Sequence, residues 1–184
     1  MSYVDDLLSA YAKFVALPWQ KTLAPPQRVW MAVYPPEYEL RLRLHIPAFK
    51  TATNDHPWAL IDLTNSFEMW MAEHTYRDAY FEDPDLLETA LPALFDHLVG
   101  EVRSQLESHP SDEGVVALLG VGTMFGLGDA LKVSALLNAV NDAIGGRLLV
   151  FFPGDVENNR FRLLDARDGW DYMAIVIKPD GSGQ

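Results

Sequence analysis

The chain has no cysteine, so disulfides, thiol nucleophiles and cysteine-ligated zinc or iron-sulfur centres are excluded. It is also short of basic residues: 14 Lys and Arg stand against 26 Asp and Glu, a formal net charge of -12. That sign opposes the counterion release that supplies most affinity for nucleic acid. The arginines that could form a local patch, Arg41, Arg43, Arg160, Arg162 and Arg167, are interspersed with acids. Direct binding to nucleic acid is therefore not expected. The acidic excess reads first as surface solubility, with an acidic docking face as the alternative. No long uncharged apolar run suits a membrane span. The N-terminus, MSYVDDLLSAYAKF, carries acids where a secretion signal has basic residues, so a cytoplasmic location is expected.

Catalytic motifs are scarce too. Gly120, Gly122, Gly126 and Gly128 follow an apolar run and precede a helical pattern, where a phosphate-binding loop would sit. Their spacing fails the test. A P-loop continues Gly-Lys-Ser/Thr, whereas Gly128 is followed by Asp129-Ala130-Leu131 with Lys132 a turn too late. A Rossmann fingerprint would need glycine at Phe125, and Asp129 would repel a phosphate. There is no Gly-x-Ser-x-Gly elbow. Five histidines, His45, His56, His74, His97 and His109, are scattered. His74 with Asp78 and His97 with Glu101 lie one helical turn apart and read as surface pairs, because a metal site needs three or more converging ligands. Asp62 ends an apolar run, as a magnesium-binding acid does in many ATPases, but without a P-loop its expected role is to cap the segment near Asn65. Asp165, Asp168 and Asp171 could gather around a metal, yet ARDGWD reads equally as a turn anchored by Trp170. No catalytic residue, cofactor or metal is assigned.

What is present is an ordinary globular composition, 49% apolar and 22% charged over 184 residues. A chain of this length buries roughly 70% of its unfolded surface, which suits one domain, placed at 1–178 with a flexible tail at 179–184. Val4, Leu7, Leu8, Tyr11, Phe14 and Val15 recur at helical spacing and predict an opening helix ended by Leu17-Pro18. RVWMAV (28–33), WALIDL (58–63), VVALLG (115–120) and LLVFF (148–152) read as buried strands. Between the first two, residues 37–49 alternate like a strand, but the gap suits a crossover and Glu37, Glu39, Arg41 and Arg43 allow pairs four apart, so a helix is preferred. Residues 66–74 predict a helix rich in aromatics and methionine. Asp83-Pro84 opens a helical region to about Ser108, with a kink or break at Pro92. Another helix is expected from Asp129 to Ile144, and a final strand pair, Arg160–Leu164 with Tyr172–Ile177, across the turn at Asp168-Gly169. The alternation implies an α/β fold: a mainly parallel sheet of about five to six strands, helices on both faces and an antiparallel C-terminal edge.

Several segments carry a resemblance when taken in order: GVGTMFGL, VSALLNAV, GRLLVFFPG and RLLDARDGWDYMAI, preceded by VYPPEYELRLRL and WALIDLTNSF. Together they resemble the small BrxB component of BREX phage-defence systems. The resemblance implies a bacterial, cytosolic, non-catalytic α/β protein that works beside a larger partner, PglZ. It also implies a fold similar to a nucleotide-binding core without phosphate-binding chemistry. Positions matching its pattern, Gly120, Gly122, Phe125, Pro153, Gly154 and Arg160, would shape a loop surface for the partner, with hot spots at Phe125, Trp170 and nearby arginines. The alternative reading is a degenerate nucleotide-binding or regulatory domain.

Overall fold

A computed structural model describes residues 2–127, 131–164, 166 and 169–180. Its elements run α1 (Tyr3–Val15), β1 (Val29–Tyr34), α2 (Glu39–Ala52), β2 (Trp58–Asp62), α3 (Ser66–Glu73), α4 (Arg77–Glu82), α5 (Leu91–Ser108), β3 (Val115–Leu119), α6 (Val133–Val140), β4 (Arg147–Glu157), β5 (Arg160–Leu163), β6 (Trp170–Asp171) and β7 (Ile175–Ile177). Five strands form a parallel sheet in the order β2-β3-β4-β1-β7. The α/β class with a mainly parallel sheet is as the sequence predicts, with seven strands rather than five or six.

The apolar runs of β1, β3 and β4 are explained by two-sided burial, whereas β2, expected to be buried as well, lies at the sheet edge, where within the strand only Ile61 is buried and Leu60 is exposed. In β1, Val29, Met31 and Val33 enter a core with α5 and α6, while Trp30, Ala32 and Tyr34 enter a second core with α1 and α2. β4 divides likewise, Leu148, Val150 and Phe152 against Leu149 and Phe151. Strands covered on both faces have no polar face to alternate. Across the second core, Phe49 of α2 meets Phe151 edge to face, with ring centroids 5.1 Å apart.

Residues 39–52 are helical, because Leu42, Ile46 and Phe49 at i, i+4 and i+7 bury one stripe. The period-two reading would also have buried Leu40 and Leu44, which instead stand exposed. Arg43 pairs with Glu39 at 2.8 Å, the four-residue spacing expected. Arg41 reaches Asp5 at 3.4 Å rather than Glu37, which belongs to the preceding 3-10 turn. The break near Pro92 also occurs: Pro84–Thr89 forms a 3-10 turn capped by Asp83, and α5 begins at Leu91.

Three further details differ from the sequence reading. The helix expected from Asp129 starts at Val133, since Lys132 is extended; Asp129 itself lies outside the described residues. β4 continues to Glu157, well past Phe152, and its outer half pairs antiparallel with β5 across Asn158-Asn159. Both asparagines have positive φ, as a two-residue type I′ turn requires. Finally, Arg160–Leu163 does not pair with the chain near Ile177. β5 pairs with β4 and β6, while β7 crosses to the far edge and runs parallel to β1. Asp168 of the expected turn is outside the described residues, as are the tail residues 181–184.

α1 opens with a capping box. The Ser2 hydroxyl accepts from Asp5 N, and the Asp5 carboxylate accepts from Ser2 N at 2.9 Å. Hydrogen bonds from the Ser2 hydroxyl and backbone, followed by the Arg41 charge, hold the Asp5 pKa at about 2, below its usual 3.8. A depressed carboxylate stabilises fully above its unfolded pKa and loses that contribution as pH falls through the folded one. Thermal melts should therefore show an Asp5 contribution fading from about pH 4 to pH 2, and Asp5→Asn should flatten that stretch of the profile.

Candidate functional site

In open α/β sheets, ligand sites gather at the carboxyl ends of the strands. Here that end carries a partly exposed polar network. Tyr34, at the end of β1, donates to Glu39, and burial followed by this carboxylate raises the phenol far above its ordinary pKa. Glu39 accepts from Arg43 Nε at 2.8 Å, and Arg43 in turn donates to Asp62 Oδ2 at 3.4 Å and to Thr64 Oγ1 at 2.7 Å. Asp62 Oδ1 accepts from Thr64 N at 3.0 Å and from the Thr64 hydroxyl. Both Asp62 oxygens are thus engaged. The bond to Thr64 N closes the turn before α3, close to the capping role expected near Asn65.

Gly120 packs directly on this network. Its φ is +90°, and an added Cβ would stand 2.6 Å from Thr64 N and 3.0 Å from Asp62 Oδ1. The glycine that suggested a phosphate loop is needed instead for a left-handed turn and a close backbone approach. Gly128 and Asp129, the remainder of that loop, lie outside the described residues.

The predicted surface residues separate into two groups. Gly120, Gly122 and Phe125 follow β3, and Gly122 sits against Pro153 of β4, with a Cβ position 3.3 Å from Pro153 Cγ. Phe125 ends this loop 44% exposed. Gly154, Arg160 and Trp170 belong to the antiparallel arm. A side chain at Gly154 would collide with the Arg162 carbonyl oxygen, so this glycine lets β5 approach. Trp170 stacks on Phe161 at 5.1 Å and meets Phe152 edge to face at 5.8 Å, which makes it an anchor of the arm. Arg160 is exposed and lines an open cleft of about 520 Å³ with Asp155, Glu157, Arg162 and Asp171. Asp165, Arg167 and Asp168 are outside the described residues, among which no group of three or more His, Asp or Glu could hold a metal. His97 lies 3.9 Å from Glu101 as a surface pair, whereas His74 accepts from Tyr76 N and sits among Trp70, Tyr76 and Tyr80.

A further surface follows β2, where the sequence predicts helices at 66–74 and from Asp83 and assigns no element to 75–82. Residues 66–90 bury Ser66, Met71 and Ala90 alone, and α4 with the adjoining 3-10 turn buries nothing. Met69, Tyr76 and Phe81 are 64%, 64% and 72% exposed, with Leu86 beside them in sequence. The segment is fixed to the fold by Phe67, Trp70 and Leu87 against the core and by Ser66 Oγ donating to Glu101 at 3.1 Å. Around its apolar residues stand Glu68, Glu73, Asp78, Glu82, Asp83, Asp85 and Glu88 against one cation, Arg77, so seven acids less one give -6, half of the chain's -12. Phe67, Trp70 and Met71 follow the helical period, the first two packing on the core and Met71 buried, so the available signal was the apolar residues left outside that stripe, Met69, Tyr76 and Phe81.

α2 also exposes Leu40 and Leu44, but as a single pair without aromatic or acidic company of that density. No helix among the described residues is long and apolar enough to cross a membrane. The chain matches no known family model, and neither the curated proteins nor the solved structures give a match.

Proposed function

We propose that this chain is a docking subunit of a bacterial BREX-type phage-defence complex, binding a larger PglZ-like protein in the cytoplasm and acting without chemistry of its own. The observation that carries docking is the surface at residues 66–90, where Met69, Tyr76, Phe81 and Leu86 project from short helices that bury almost nothing. Exposed aromatic and apolar groups inside a polar rim are the anatomy of a protein interface. The identity of the partner rests on the resemblance of the ordered segments from VYPPEYELRLRL to RLLDARDGWDYMAI.

The acids around this surface favour a partner patch that is apolar at its centre and ringed by lysine or arginine. Phe125 and the Gly120–Phe125 loop extend the docking face from the end of the neighbouring strand β3, since Gly120 already touches Thr64 in the turn leading to α3. Trp170 and Gly154 support the arm from within, and Arg160 is the arm's exposed contributor. Co-expressed with a PglZ-like protein, the chain should migrate with it on size exclusion at micromolar concentration. Separate migration of two folded proteins would remove the proposal.

A further inference from the structure

The larger cavity lies at the opposite end of the sheet, beneath the amino ends of β1 to β4. It encloses about 720 Å³, a size suited to a small ligand. Its floor is Arg147, the first residue of β4, only 5% exposed. The guanidinium donates to Gly146 O at 3.0 Å and Gln20 O at 2.6 Å and lies 5.1 Å from the Trp19 ring centroid and 5.9 Å from that of Trp30. Arg28 stands nearby, donating to Ile144 O at 2.9 Å. Among the described residues neither arginine has a carboxylate within ion-pair distance. Burial, and then repulsion from Arg28, lower the Arg147 pKa from its ordinary value. Two guanidiniums therefore share a half-buried site whose own partners are neutral carbonyls and indoles. Two bonds leave part of the five-donor fork of Arg147 free.

One wall is aromatic: Trp19 stacks on His56 with centroids 4.0 Å apart, and His56 is fixed by Nδ1 at 2.7 Å from Glu113 O. The exposed carboxylates Asp55, Asp112 and Glu113 also line the cavity, as does the exposed Lys21. Paired guanidiniums recognise an oxyanion, the outer face of an imidazole backed by an indole accepts a flat body, and acids lining the cavity disfavour multiply charged tails. We propose that this cavity binds a small planar organic anion, with its single carboxylate or phosphate held between Arg28 and Arg147 and its ring against the face of His56 that Trp19 does not cover. This site is independent of the docking surface.

Benzoate and phenyl phosphate are the probes, titrated into the full chain while tryptophan fluorescence and amide NMR shifts are followed, with sodium chloride matched for ionic strength. At least one should produce saturable shifts around Trp19, His56 and Arg147 below about 10 mM, the range of a weak fragment. The probe that binds identifies the oxyanion. Arg28→Met, at a partly exposed position, should weaken it at least about tenfold while the chain stays folded, with the melt lowered slightly by the lost bond to Ile144 O; Arg147→Met should abolish it. Shifts no larger than those from chloride, or equal affinity in Arg28→Met, would overturn the assignment. Binding of ATP in preference to both probes would overturn the preference for a ligand with one oxyanion group.

Discussion

Gly120→Ala should destabilise the fold by about 2 to 4 kcal/mol, lowering the melting temperature by about 10 °C. The left-handed φ of +90° is strained for any side chain, and the new Cβ would press on Thr64 N, a backbone atom that cannot swing away. Thr64 is tied to Asp62 and Arg43, so displacement would also loosen the network joining β1, α2 and β2 at the carboxyl end. Gly100→Ala is the internal comparison. It lies within α5, has nothing within 4 Å of its added Cβ, and should stabilise by about 0.5 to 1 kcal/mol through helix propensity. Opposite signs at two glycines would separate the close approach at Gly120 from a general effect of adding a methyl group.

The second large effect concerns partner binding. Glutamate at Tyr76 and Phe81 together should weaken a complex with a PglZ-like protein about 100-fold, or about 3 kcal/mol, without lowering the melting temperature, because both side chains are already in water. Aromatic anchors carry most interface energy, and a buried unpaired carboxylate adds its desolvation cost. Leu44→Glu, on the outer face of α2, should leave affinity unchanged. Raising salt should slow association, since the acidic rim steers a basic patch and its field is screened within about 8 Å at physiological ionic strength. Titration calorimetry on the double variant and on Leu44→Glu would measure the affinities, and stopped-flow mixing at several salt concentrations would measure the association rate.

How much of this was legible in the sequence depends on whether an element's environment is written into its own residues. The runs at 29–34, 115–119 and 148–152 are apolar because both faces are covered, and that pattern is local. The helix at 39–52 could be preferred over a hairpin from connection length and from Glu39 with Arg43, and its burial stripe agrees. The outer half of β4 was missed although Asn158-Asn159 is a turn signal, because Phe152-Pro153-Gly154 looks like a strand's end. In the structure Gly154 carries the strand onward into its pairing with β5. The partner of Ile175–Ile177 was beyond local reading altogether, since it is decided by which sheet edge is free, and β1 offers it.

The site was less legible than the fold. Gly120 and Gly122 could be marked as unusual, yet only the fold distinguishes a glycine that cradles a ligand from one that admits Thr64 or Pro153. Trp170 reads as a hot spot from its type, while its stacking on Phe161 and its contact with Phe152 come from strand pairing that no local pattern records. The exposure of Tyr76 and Phe81 follows from how α4 is held away from the core, which no periodicity records. The cavity around Arg147 gathers residues from four distant segments, so sequence spacing carries no trace of it.

The central claim is that residues 66–90 form the face that meets a larger protein. Hydrogen exchange of this chain, alone and saturated with a PglZ-like partner, tests it most directly. The account predicts protection concentrated in α3, α4 and the following 3-10 turn, continuing into the Gly120–Phe125 loop, with the amino-edge cavity unchanged. Exchange that is identical with and without partner, or protection confined to surfaces outside residues 66–90, would contradict it.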